Sequence, residues 1–100
     1  MITPTEQITA ATEAMEAKQW RPAIALLVDL LPRLTPDRMS MESAVRVLLA
    51  QALHSSGETN RALEQARAAL SVAEQTDDRG LIWKCMALIA SMEIIDTARL

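Results

Sequence analysis

The chain repeats itself at a coarse interval. Ala23-x3-Leu27 returns as Ala62-x3-Ala66, a step of 39 residues from position 23 to 62, and Leu49-Ala50-x2-Leu53 returns as Met86-Ala87-x2-Ala90, a step of 37 from position 49 to 86. Each motif has helical spacing. Periods of this size belong to stacked helical hairpins, in which no unit buries its apolar face unaided and neighbours supply the missing wall. Strands are poorly provided for: the chain has no tyrosine or phenylalanine and only two tryptophans, Trp20 and Trp83, whereas sheets favour aromatic and β-branched residues. The expected fold class is all-α, five helices arranged as two hairpins plus a C-terminal helix, in one domain spanning residues 1–100.

Punctuation divides the five segments. Thr3-Pro4-Thr5-Glu6 is a helix start: a threonine oxygen accepts from a free backbone N–H, proline suits the first helical position, and Glu6 is placed to return the bond. This predicts a first helix over Pro4 to Lys18. A second follows Gln19-Trp20-Arg21-Pro22 and carries Ile24, Leu27, Leu30, Leu31 and Leu34 at helical spacing; Pro32 either kinks it or ends its regular part near Leu31. Thr35-Pro36-Asp37 opens a third, closed by Ser55-Ser56-Gly57, glycine accepting left-handed geometry beyond a helix end. A fourth runs from Thr59 to Gln75 with Ala62, Ala66, Ala69 and Ala73 as a stripe. After the polar break Thr76–Gly80 a fifth runs from Leu81 almost to the end.

On these residues the chain resembles the tetratricopeptide repeat family, whose first helix carries W-x2-L-G-x2-Y and whose second carries A-x3-F followed by P. Trp83, Met86, Ala87 and Ala90 follow the first-helix order, as do Arg46, Leu49, Ala50 and Leu53 with the tryptophan replaced. Ala10, Ala11 and Ala14 stand at the equivalent places of the first helix. Gly57 falls at the inter-helix turn, Ala62 at the small position of the second helix, and Pro36 near the terminal proline. The resemblance implies a right-handed stack whose first helices line a concave face for a peptide or helix of another protein. Carried over to this sequence, that face includes Ile8, Thr12 and Met15, then Val47, Leu48, Gln51 and His54, then Lys84, Cys85 and Leu88. Where some members clamp a terminal carboxylate, Val47, Gln51 and Leu88 stand here, so the implied recognition is apolar.

Several function classes are argued against. Thirteen acidic and ten basic residues give a net charge of −3, and the arginines are scattered, so no basic stripe exists for nucleic acid. The lone Cys85 has no mate for an intrachain disulfide, and the start of the chain, Met-Ile-Thr-Pro-Thr-Glu, carries no basic side chain and leads into no apolar run of a secretory signal, so a cytoplasmic setting is expected. His54 is the single histidine and suits the end of its helix, complementing the dipole, rather than a metal set. Two glycines cannot make a phosphate-cradling loop, and the acid pairs Glu13/Glu16 and Glu93/Asp96 read as solvated faces. No catalytic residue, cofactor or metal is expected; the chain reads as a non-enzyme.

The most telling stretch is Leu81 to Ile95, where only Lys84, Ser91 and Glu93 are not apolar. A membrane span takes about 20 predominantly apolar residues, so this segment is too short and no membrane partner is expected. A helix apolar around most of its circumference has to be covered on most sides. With five helices, one side rests on the fourth helix and nothing closes the other, which points to self-association or a protein partner. Six methionines add apolar surface that adapts to irregular contacts. The expectation is a protein-interaction module that buries an apolar helix or peptide of a partner, or a second copy of itself about a two-fold axis. Trp83, Leu88, Met92 and Ile95 are its anchors beside the first-helix face. The alternatives are a small cytosolic chaperone or adaptor, and a sensor fragment of a bacterial transcription regulator.

Overall fold

A computed structural model describes the backbone of residues 2–98 and the side chains of residues 2–93. Among the described residues there are five α-helices and no strand: α1 (Pro4–Glu16), α2 (Trp20–Leu30), α3 (Met39–Ser55), α4 (Thr59–Gln75) and α5 (Arg79–Ala98). Two short 3-10 segments, Leu31–Arg33 and Pro36–Arg38, join α2 to α3.

The ends follow local chemistry. Thr3 caps α1, its hydroxyl accepting from the Glu6 N–H at 3.2 Å, so the threonine half of the expected reciprocal pair forms. Pro32 ends the regular part of α2, as its missing N–H requires. The helix expected from Thr35-Pro36-Asp37 begins instead as a 3-10 turn, with Thr35 hydrogen-bonded to the Asp37 carboxylate, and becomes α-helical at Met39. Helix α5 starts two residues before Leu81, because Asp78 caps it: Oδ1 accepts from the Leu81 N–H at 3.2 Å.

Three of the reversals use one backbone design. At the end of α1 the Gln19 N–H bonds the Ala14 carbonyl and the Lys18 N–H bonds Met15; after α3 the pairs are Glu58 to Leu53 and Gly57 to His54; after α4 they are Asp78 to Ala73 and Asp77 to Glu74. Each middle residue has positive φ: Lys18 60°, Gly57 94°, Asp77 54°. This is the Schellman arrangement, which satisfies the last carbonyls of a helix. It stops α1 at Glu16, short of the expected Lys18.

Each helix packs mainly on its sequence neighbours, α3 on α4 most extensively, in a slab of 46 × 31 × 19 Å. The main core joins Leu27 and Leu30 of α2, Val45, Leu49, Ala50 and Leu53 of α3, Ala62, Leu63 and Ala66 of α4, and Met92 of α5. The α4 alanines let α3 and α4 approach closely, interaxial distance following side-chain size. A smaller cluster of Val47, Ala69 and Cys85 ties α3, α4 and α5. Beside it the buried Ser43 hydroxyl donates to the Ala69 carbonyl at 2.8 Å. Across α1 and α2, the buried Gln7 donates to the Leu26 carbonyl (2.8 Å) and the Asp29 carboxylate (3.0 Å) and accepts from Arg33 (2.6 Å).

Candidate protein-interaction surface

Helix α5 has two apolar sides, and among the described residues only one is covered. Its inner side carries the fully buried Cys85 and Met92, flanked by half-buried Leu81, Ile82, Leu88 and Ile89, and rests on α4 and α3. Its outer side carries Trp83, Met86, Ala87 and Ala90, spaced i, i+3, i+4, i+7, all exposed: Trp83 by 73% and Met86 by 52%. Val28 and Ile2, the other exposed large apolar residues described, stand singly, and single apolar residues on a surface are ordinary. The α5 stripe is contiguous by helical spacing, which is not.

The side chains expected to meet a partner separate into three groups. Trp83 is open to solvent. Ile8, Met15, Leu48, Gln51 and Leu88 are half-buried, and Ile8, Leu48 and Leu88 lean on the main core. Val47, Cys85 and Met92 are interior and offer no surface, a correction to the expected set: Val47 and Cys85 are enclosed where α3, α4 and α5 meet, and Met92 reaches the main core. Ile95 lies outside the residues whose side chains are described. Sequence reading did not place Met86, Ala87 and Ala90 on the surface, although the recurrence of Leu49-Ala50-x2-Leu53 put them on one helix face.

Along the stripe itself the charge is positive, with carboxylates only at the two ends, Asp78 and Glu93. Between Arg79 and Met92 the only charged residues are Arg79 and Lys84, both exposed, and neither forms an ion pair among the described residues. Glu93 is bound across to Arg67 of α4 at 3.2 Å. Cys85 is sealed behind the stripe, and burial pushes its thiol above its usual value, opposed by the neighbouring Ser43 hydroxyl and by Lys84. His54 is half-buried at the end of α3, its Nδ1 3.5 Å from the Thr59 hydroxyl.

Other surface features offer less. A cleft of about 720 Å3 lies at the α1–α2 turn, lined by Lys18 to Pro22 and by Ser55 and Ser56, with no residue of α5. Among the described residues no group of His, Cys, Asp and Glu side chains is placed to hold a metal ion, and no helix is long and apolar enough to cross a membrane. No family model, curated protein or solved structure matches the chain.

Proposed function

We propose that this protein is an interaction module, related to the tetratricopeptide repeats, that buries an apolar helix or peptide of another polypeptide, or of a second copy, against α5. The single observation that carries the reading is the bare stripe of Trp83, Met86, Ala87 and Ala90 on a helix whose opposite side is already packed. Burying apolar surface contributes about 25 cal/mol per Å2, and a tryptophan brings about 150–250 Å2 of it. An anchor of this type is what interface hot spots are made of. Ile8, Met15, Leu48, Gln51 and Leu88, half-buried, are the first-helix residues that the resemblance would add to this reading. A chaperone or adaptor role is one use of such a surface. The single buried, unpaired Cys85 suits a cytoplasmic setting.

The test pairs mass with a surface variant. Light scattering after size exclusion, on the wild-type chain and on Trp83→Asp/Met86→Asp, is run with and without amphipathic helical peptides. The expected outcome is assembly, with itself or a peptide, that the double variant abolishes while its circular dichroism is unchanged. A wild-type chain that stays monomeric and binds none of the peptides ends the proposal.

A further inference from the structure

The molecule contains its own template for what covers α5. Gln7 of α1 reaches α2 at Leu26, and Arg46 of α3 reaches α4 at Gln65 (2.8 Å). Position 7 to 46 and position 26 to 65 are the same step of 39, and so is Lys18 to Gly57 at the turns. The two hairpins therefore superimpose in register: the residue at this place on a first helix looks at its hairpin mate. A step of 37 carries Arg46, Leu49, Ala50 and Leu53 onto Trp83, Met86, Ala87 and Ala90. On α3 the apolar three are sealed, Leu49 at 1% and Ala50 and Leu53 at 0% exposure, in one cluster with Ala62, Leu63 and Ala66 of α4. On α5 their counterparts are open. Nor does α5 fold back where α3 does. The place of Ser56 falls at Glu93, and α5 continues as helix to Ala98.

We infer that the outer face of α5 seats a helix of a different protein in the place that α4 takes on α3: antiparallel to α5, alanine-striped on its inner side, aliphatic where α4 has Gln65, and flanked by carboxylates. Each specification has its residue. Trp83 replaces Arg46, so a hydrogen-bonding Gln65 loses its partner, and an unpaired buried amide is costly. Met86 and Ala87 repeat the large-small pair Leu49 and Ala50, which α4 receives with Ala62 and Ala66. Arg79 and Lys84 are the charged residues of the stretch from Arg79 to Met92, and the flanking Asp78 and Glu93 are engaged with the Leu81 N–H and with Arg67, so an acidic helix finds complementary charge. A second copy's α5 brings the same two cations, a Glu93 already engaged by Arg67, and bulky Trp83 and Met86 where α4 presents alanines, which together disfavour that occupant. This inference rests on the interaction reading above and narrows it to one occupant.

The probe is a synthetic helix with the sequence of residues 59–75 carrying Arg61→Glu, Gln65→Leu and Arg67→Glu, titrated into the full-length chain by calorimetry. Tryptophan emission is followed in parallel, the chain having only Trp20 and Trp83 to report. Expected are saturable binding and a blue shift of emission. Met86→Asp and Trp83→Asp, each at an exposed position, should each weaken binding at least tenfold with helix content unchanged. A probe with lysines in place of its glutamates should bind at least tenfold more weakly, the gap closing in high salt. Three outcomes overturn the inference. One is no saturation up to millimolar probe. Another is equal binding by the Met86→Asp chain or by the lysine probe. The third is a wild-type dimer that Met86→Asp dissociates, which gives the face to a second copy and leaves the interaction reading standing. Assembly that is absent altogether, with the probe and with other helices, removes both readings.

Discussion

Cys85 and Asp29 show how much a single side chain's behaviour depends on its walls. The Cys85 thiol is interior, and burial raises its pKa, so at neutral pH it is protonated and enclosed, whereas the reactive species is the thiolate. Wild-type protein at pH 7 should react with a maleimide far more slowly than the same chain in denaturant, as read by mass spectrometry; equal rates would mean that α5 does not stay on α3 and α4. Asp29 behaves oppositely. Its carboxylate accepts from Gln7 and then from Arg33, and these bonds hold its pKa below the ordinary value. A depressed carboxylate contributes stability above its unfolded pKa, ~3.9, and loses it as pH falls through the lower folded value. The stability gap between wild type and Asp29→Asn should therefore be full near neutrality and vanish in acid, as followed by urea unfolding at a series of pH values. Neither environment was legible in the sequence. Gln7 reads as one more polar residue of a first turn, and only the approach of α2 makes it a buried bridge to Leu26, Asp29 and Arg33.

At the scale of helices and turns, punctuation residues carried most of the information. Thr59–Gln75 was readable to its last residue, and Pro4, Pro32 and Gly57 each act where their backbone chemistry dictates. The other two left-handed residues escaped notice because Lys18 and Asp77 have a Cβ, and nothing in a lysine announces positive φ. They mark substitutions of opposite sign. At Gly57 an added Cβ meets no atom within 4 Å, so Gly57→Ala should cost about 1–2 kcal/mol purely from the left-handed backbone. Lys18→Gly should gain up to ~1 kcal/mol by relieving the same strain, offset in part by glycine's greater freedom when unfolded. Thermal or urea unfolding of the two variants checks both signs.

Across the whole molecule, the apolar wealth of α5 was plain from Leu81 to Ile95, and its two-sidedness was not. A helix without a polar face gives periodicity nothing to point with, so Met92 and Cys85 looked as available as Trp83 until α3 and α4 were in place. The repeat then makes a comparison between equivalent positions possible. Leu49→Ala, in the sealed hairpin, should destabilise by about 2–5 kcal/mol. Met86→Ala, one repeat later, should stay within about 0.5 kcal/mol, as surface substitutions do. Denaturant titration of the isolated chain gives both numbers, and a large loss at Met86 would show that its face is already occupied.

The joints between α1 and α2, between α3 and α4, and between α4 and α5 are fastened through main-chain atoms, with a lysine, a glycine and an aspartate serving at the same pivot. Such corners accept different spellings, each at its own cost in backbone strain. Descendants of an ancestral hairpin could exchange their letters there without altering the angle, and kinship among molecules of this design would be better preserved in their bends than in their alphabets.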